Sequence, residues 1–516
     1  MLPPLSTNEG VKLTQIGRRN LFVGVKEVTE NNVIQIIEAV RADFEVNRND
    51  CDRLLVIESG KMPLNRVKTV RPERDVQTVD NIPNEVTQFK IGFVWGNVIN
   101  FVSRGAKDSG PESENDAISL LNECYAAENI GMKQRRLGYF VEITGIGYTF
   151  VDIKGEWVEG DSYFELETLD PRFAFVVRSS LFSDHRVLLG VTFREDKMGN
   201  TYYTAFSKDY RFEITNGKVQ SVMMNPLRMV PIIEWERADD RMGVFEREIP
   251  EIERLNLVLS DIGNCVDQDC QWVVHANDIE FPHKKDANGN DTDEIERPKT
   301  GEWILTDTTK DGRQPFIKPL TTSYDYNGLL NNYTTARALI LQRTYTPQRN
   351  DNSGGSTGSA TADAAGWTAA EAVANAQQLL MESSKMQELR VVLEAIKRRN
   401  KLIEDSPLRK LRYMDCQPRV IRQKTYELSV KSTALSALLS HGVYGLHALN
   451  TVGLFSDVSQ VWEDSKELIE QYQQKTFGEE KEIKPQSDDP LYQIENSPLI
   501  DGMSEERPIN GDDTNR

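Results

Sequence analysis

Between Pro250 and Leu402 the chain changes character repeatedly, and the order of these changes constrains the fold more than any other feature. A helix is followed by a polar insert, a second helix, a loop of small residues and a long helix. Pro250 stands at an N1-like position, where its missing N–H leaves no extra gap in the helix. Ile252, Leu255, Leu259, Ile262 and Val266 follow at steps of three, four, three and four. This heptad-like seam predicts helices packed side by side at a shallow angle. Glu251, Glu253, Asp261, Asp267 and Asp269 occupy the other faces. The second helix, about Tyr324 to Arg343, carries Leu329, Leu330, Tyr333, Ala336 and Ile340. Two such helices, each with one apolar seam and charged remaining faces, cannot bury themselves as an isolated hairpin.

The loop, residues 344–366, contains Asn350-Asp351-Asn352-Ser353-Gly354-Gly355-Ser356-Thr357-Gly358-Ser359. Such a run cannot bury apolar surface and is expected to be mobile. A mobile loop between strong helices is unusual inside a compact enzyme. It suits helices that line a channel with a loop reaching into it. The long helix, about Trp367 to Ile403, runs through Ala370, Val373, Ala374, Leu380, Leu389, Val392 and Ile396. Its basic end, Lys397-Arg398-Arg399, complements a helix C-terminus.

With 516 residues the chain has room for several cores. Eighty acidic against 61 basic side chains leave a formal charge of -19. That argues against tight non-specific nucleic-acid binding, which needs clustered Lys and Arg. It does not exclude contact with DNA that must slide. Five scattered cysteines fit a reduced setting. No signal peptide is read, and Leu446 to Phe455 falls short of the roughly 20 residues a membrane helix needs. The chain reads as soluble and cytosolic when made.

The fold class expected is α+β. Residues 1–30 read as a polar arm. Amphipathic helices are expected over 31–48 and 115–137, and a buried helix over 85–104. From Tyr139 to Ile233 short β-branched and aromatic runs alternate with turns: Tyr139 to Thr144, Tyr148 to Ile153, Phe173 to Arg178, Val187 to Phe193, Tyr202 to Phe206 and Tyr210 to Ile214. Residues 277–322 are polar, with strand candidates at Asp278 to Phe281, Gly301 to Leu305 and Pro315 to Lys318. Residues 408–431 read as a return strand region and Ser432 to Gln474 as short helices broken near Gly442, Gly445 and Gly453. Residues 475–516 read as an acidic disordered tail.

Motifs for catalysis or metal binding are not convincing. Cys265, Cys270 and His275 are five apart, so on one helix successive members point about 140° apart. They cannot converge on one ion. His185, His283, His441 and His447 lack partner spacing. Gly145-Ile146-Gly147 precedes strand-like residues, lacks a third glycine, and reads as a bulge or turn. No Walker-type Gly-Lys-Ser/Thr is present. Asp239-Asp240 and Asp488-Asp489 are adjacent pairs whose side chains diverge, unlike carboxylates facing across a cleft. No cofactor is expected.

The approach to the first long helix reads Asn225-Pro226-Leu227-Arg228-Met229-Val230-Pro231-Ile232-Ile233-Glu234-Trp235, then Phe245-Glu246, then Ile252 to Asn264 with Leu259-Ser260-Asp261. This run resembles the portal proteins of tailed bacteriophages, of the type found in long-tailed phages of Gram-positive hosts. There a Pro-Ile-Ile-Glu-aromatic strand leads into the stem. A glycine usually sits a few residues before that proline; Arg228 stands there here, which leaves the form of the turn open. Weaker matches are Thr144-Gly145-Ile146-Gly147-Tyr148 to Asp152, Leu169-Asp170-Pro171 to Val177, and Ala395 to Ile403. The order of parts over residues 30–475 carries the resemblance.

The resemblance implies a portal fold assembled as a ring, usually of twelve subunits, at one capsid vertex. On it, residues 1–249 are arm and wing, and 250–276 and 323–343 the two stem helices. Residues 277–322 form a small β-containing clip, 344–366 the tunnel loop, 367–431 the long helix and wing return, and 432–474 a helical crown. The stem seam is Ile252, Leu255, Leu259, Ile262 and Val266. Loop residues that would meet DNA are Arg343, Gln348, Arg349, Asn350, Asn352 and Ser353; for Arg343 and Arg349 a merely solubilising role stays open. Clip residues that would dock partners are Phe281, Trp303, Ile304, Phe316 and Lys318. Implied partners are the ring's other copies, transient double-stranded DNA, terminase, major capsid and scaffolding proteins and a head-completion or adaptor protein, with no membrane. The protein would reside at the virion's unique vertex, and in host cytoplasm during assembly. The alternatives are an acidic α+β hydrolase with a lid at 344–366, or a scaffold or adaptor without a channel.

Overall fold

The computed structural model describes residues 17–64, 66, 75–104, 112–156, 158, 160–181, 186–269, 273–277, 283–285, 291–295, 316–320, 325–348, 366–399, 406–422, 428–452, 454 and 458–479. The chain divides into two units, Met1–Gln423 and Lys424–Arg516. The first begins with β1 (Leu21–Val23), α1 (Val33–Glu58), α2 (Ile82–Val94), β2 (Asn100–Ser103), α3 (Glu112–Ala127) and α4 (Ile130–Thr144). Eight strands follow: β3 (Ile146–Ile153), β4 (Phe164–Leu169), β5 (Ala174–Ser179), β6 (Val187–Glu195), β7 (Thr201–Ser207), β8 (Tyr210–Thr215), β9 (Lys218–Met224) and β10 (Ile232–Glu236). Next come α5 (Ile249–Asp269), β11 (Val273–Asn277), β12 (His283–Lys285), β13 (Asp291–Ile295), β14 (Phe316–Leu320), α6 (Tyr326–Arg343), α7 (Trp367–Arg399) and β15 (Cys416–Arg419). The second unit contains α8 (Leu428–Ser440), α9 (Gly445–Val452) and α10 (Val458–Glu479), packed around Leu449, Val458 and Trp462.

The expected α+β class holds. A six-stranded sheet runs β1-β5-β6-β7-β8-β9, antiparallel except for β1, which lies parallel to β5. Helix α1 covers it through Val33, Ile36, Ile37, Val40 and Phe44, which pack on Phe175, Val191 and Phe212. A three-stranded sheet, β10-β3-β4, sits between this layer and α7. Long α7 buries Ala370, Ala374, Met381, Leu389, Val392 and Ile396 against it, with α3 and α4 completing the core.

Charge is buried at the joint between β10 and the turn after it. Glu234 is taken by Arg241 at 2.8 Å, Arg178 at 2.9 Å and the Tyr148 hydroxyl at 2.9 Å. Burial opposes its charge, yet the two guanidiniums hold its carboxyl down at about 2. Arg241 also pairs with Glu236, and its Nε donates to the Arg18 carbonyl.

Several elements differ from the sequence expectation. Helix α2 stops at Val94 instead of running through 104, and the chain turns at Gly96, where a Cβ would lie 2.2 Å from the Gly92 carbonyl oxygen. The helix expected over 115–137 is two helices, broken where Asn129 adopts φ 54°. Tyr139 to Thr144 is the end of α4, not a strand. Val141 and Ile143 are fully buried there, and a short apolar run has no period that separates helix from strand. Gly145 (φ 82°) ends α4 by donating its N–H to Val141, so it is a helix cap. Strand β1 docks within the expected arm, and β4 and β9 are additional strands. The first long helix ends at Asp269, so part of the span to 276 is strand β11. Among the described residues of 408–431, only Cys416–Arg419 is strand, and α8 already starts at Leu428. The tail expected from 475 begins inside α10, which runs to Glu479; residues 480–516 and the expected strands over 278–281 and 301–305 lie outside the described residues.

In the turn before β10, arginine occupies a left-handed position that favours glycine. Arg228 adopts φ 53°, a conformation that costs a residue with a Cβ about 1 kcal/mol or more. Asn225 builds the turn, accepting from the Leu227 N–H at 3.0 Å and donating to the Ser207 and Met229 carbonyls at 2.7 Å each. An exposed ion pair to Asp209 at 3.0 Å offsets little.

Two predictions follow from these local features. R228G should raise stability by about 0.5–1 kcal/mol in urea unfolding; a loss would mean the Asp209 pair outweighs the backbone strain. Glu234 contributes stability that is fully present above its ordinary value of 4.5 and lost as pH falls toward about 2. E234Q should therefore flatten the decline in urea stability between these pH values, and an unchanged slope would contradict it.

Candidate functional site

Helices α5 and α6 pack against each other, and among their described residues the apolar seam is fully covered at the basal ends. Ile252 and Leu255 are fully covered, together with Ile340, Ala336, Leu341, Ile143 and Phe245. Leu259 and Ile262 are half-buried, and Val266 is 47% exposed. On α6, Leu330 and Leu339 are 53% and 42% exposed. The seam is thus divided. Ile252 and Leu255, read from the sequence as part of a seam that an isolated hairpin cannot bury, are covered by their own chain, because α4 and the segment preceding α5 pack there. Val266 and Leu330 are left uncovered.

Beside this seam runs a polar ladder. Asn256, Ser260 and Asn264 are buried one helical turn apart. Asn256 Oδ1 accepts from the Asp80 N–H at 2.9 Å, Ser260 Oγ from the Thr78 N–H at 2.9 Å, and Asn264 Oδ1 from the Val76 N–H at 3.0 Å. Residues 75–80 therefore run antiparallel to α5. The spacing matches because four helical residues rise about 6 Å and two extended residues about 6.6 Å. At its end, Asp80 accepts from the Tyr333 hydroxyl at 2.7 Å and from Arg337 Nε at 3.1 Å. Arg337 also reaches Glu85 on α2. One strap ties both helices of the pair. Burial, with Asp80 as acceptor, pushes the Tyr333 hydroxyl up to about 12.

The loop leaves α6 through a defined root. Thr344 closes the helix, its Oγ1 donating to the Ile340 carbonyl at 2.9 Å. Tyr345 takes φ 53°, and the Thr346 N–H returns to the Leu341 carbonyl at 2.8 Å. Gln348 Nε2 donates to Ala338 at 2.7 Å and so serves the root itself. Arg343, exposed, pairs at 3.3 Å with the mostly buried Glu248. Lys90, 2% exposed on α2, donates from Nζ to the Tyr345 carbonyl at 3.1 Å. Burial, with Arg237 adding to it and Glu142 opposing, brings its ammonium down to about 8. The chain returns at Gly366 (φ 86°) and Trp367, whose ring meets Phe89 and Phe93 of α2 at 5.7 Å each. Arg349, Asn350, Asn352 and Ser353 lie outside the described residues.

In the insert, β11 pairs antiparallel with β14, placing His275 opposite Lys318. The Phe316 ring meets His275 at 5.2 Å and Lys318 Nζ at 5.5 Å. Lys318 is exposed. Phe281, Trp303 and Ile304 lie outside the described residues. Cys265 is in α5 and His275 in β11, and no metal-ligand group forms among the described residues. A cleft of about 190 Å³ is lined by Asp50, Arg53, Leu54, Met242, Glu246, Ile249 and Pro250. Its carboxylates are already engaged: Arg18, 1% exposed, pairs with Glu246 and lies 4.0 Å from Asp50. Asp240 likewise is a turn residue, accepting from the Met242 N–H at 3.1 Å and pairing with Arg247.

Residues 58–415 match the family model of the phage portal protein, SPP1 Gp6-like. The chain belongs to that family. The match spans the helix pair, the insert between them, the loop and α7. Portal proteins of this family are structural. Two solved structures are similar to this portal protein at 12% identity: the neck of a native GTA particle computed with C12 symmetry, and the neck of an empty GTA particle computed with C6 symmetry. The first has a TM-score of 0.42 and covers 79% of this chain and 94% of its own; the second has 0.40, 78% and 98%. No curated protein matches.

The ladder was not anticipated from the sequence, although its signal was there. Small polar residues at 256, 260 and 264 repeat at helical spacing beside an apolar seam. S260A should cost about 1–2 kcal/mol in urea unfolding, because the Thr78 N–H loses its acceptor. N264A should cost less, since its site borders solvent. Equal, negligible losses would show that the strap is not held by these bonds.

Proposed function

We propose that this portal protein closes as a ring of identical copies around double-stranded DNA at one capsid vertex, twelve by the family's usual number. The observation that carries this reading is the half-used seam. Leu259, Ile262, Val266, Leu330 and Leu339 have no full cover within one chain, and neighbouring α5–α6 pairs would supply it. In this reading 250–276 and 323–343 form the stem, 277–322 the clip and 344–366 the tunnel loop. Residues 1–249 and 367–431 form the wing, 432–474 the crown and 475–516 an acidic tail.

A channel wall must not hold its cargo. DNA carries one charge per about 1.7 Å of axis, so clustered free cations would create binding wells. The chain's charge of -19 and the pairing of Arg337 and Arg343 with carboxylates work against such wells. Arg349, Asn350, Asn352 and Ser353 would make light, transient contacts from every copy. The clip, through Phe281, Trp303, Ile304, Phe316 and Lys318, would dock terminase during packaging and a head-completion or adaptor protein afterwards. Major capsid and scaffolding proteins would surround the wing. The chemistry of ATP hydrolysis would belong to terminase, leaving this chain non-enzymatic. The portal type it resembles is the one found in long-tailed phages of Gram-positive hosts. No helix among the described residues is long and apolar enough to cross a membrane.

Negative-stain images of the purified protein should show rings with a central hole. Deleting Asn350 to Ala360 should leave those rings intact but reduce packaging or retention of DNA. Absence of rings at high concentration and in extract would overturn the assembly, and normal packaging and retention in the deletion would remove the loop from it.

A further inference from the structure

We propose that α2 positions both roots of the segment between Gln348 and Gly366, with Lys90 fixing the outgoing root and Phe89 and Phe93 the returning one. This rests on the reading of 344–366 as the tunnel loop and deepens it.

The two roots come from the ends of different helices, α6 and α7, yet meet the same helix. Lys90 lies 255 residues before Tyr345 in sequence. Its ammonium is nearly fully buried, a placement that costs free energy unless a strong acceptor receives it. Tyr345 supplies that acceptor. Its left-handed backbone turns its carbonyl away from the α6 ladder, so this oxygen needs an outside donor. It also lies at the negative end of the α6 dipole, where a cation is favoured.

At the returning root, Phe89 and Phe93 stand one turn apart and stack at 5.5 Å. Trp367 sets its ring at 68° to both, an edge-to-face arrangement that fixes orientation as well as contact. Trp367 opens α7 directly after Gly366, so holding this ring holds the point where the chain re-enters the fold.

Helix α2 is itself anchored. Asn81 caps it, accepting from the Asn84 N–H at 3.3 Å, and Asn84 Nδ2 reaches Glu58 at 2.7 Å. Just before it, residues 75–80 hold α5, while Asp80 and Glu85 hold α6. The helix pair and both loop roots therefore share one brace, residues 75–94. A displacement of the pair would be carried to the roots through it.

Hydrogen exchange by mass spectrometry on full-length rings tests this. K90M should speed exchange in peptides covering 344–346 about ten-fold, and F89A should do so around Ala370. Exchange in β5–β7 should stay unchanged in both. Particles assembled with either variant should lose packaged DNA. Unchanged exchange at the roots, or equal acceleration across β5–β7, overturns the positioning role. Faster root exchange with normal DNA retention leaves the positioning role supported and removes DNA handling from 344–366. If K90M does not fold, F89A carries the test, because the Phe89 side chain is only half-buried.

Discussion

The pairing of α5 with α6 is the constraint on which the remaining architecture depends. An amphipathic helix pair needs cover on both sides of its seam, and one chain supplies it only at the base. There Ile252, Leu255 and Ile340 join a core with Ile143 and Phe245. Further out the apolar residues remain at the surface. The seam is thus closed at its base by its own chain and left partly exposed further along.

Rigidity at the base comes from polar groups as much as from apolar ones. The strap at 75–80 satisfies its own backbone donors with side chains of α5, so an irregular segment is held without a sheet. Glu234 and Arg241 hold the turn leading toward α5 through their paired side chains. Glu142, fully buried, accepts from Trp95 Nε1 at 2.9 Å and Gln377 Nε2 at 2.6 Å, and so links α4 to α7. Removing one partner from such a site leaves an uncompensated polar group, so these contacts set geometry more than they add net stability.

Parts of the fold were legible because periodicity and turn chemistry are local. The seam of α5, the helix 326–343, the long α7 and the strands β5–β8 all follow from spacing. Tyr139 to Thr144 was misread because its residues are buried on every side, which erases the period. The split at Asn129 and the end of α2 at Gly96 were missed because each is decided by one residue's backbone. Arg228 shows the converse: the turn persists against local preference because Asn225 and its partners hold it. Of the site residues, Gln348 turned out to brace the root and Arg343 to pair with Glu248.

By itself the sequence determined that two seamed helices flank a polar insert, that a small-residue loop follows, and that the chain is acidic. Periodicity, turn residues and charge count are properties of neighbours along the chain. Which half of the seam is covered, what anchors the loop roots and where Lys90 spends its charge were decided only by tertiary structure. Those contacts join residues hundreds of positions apart, and no local spacing records them.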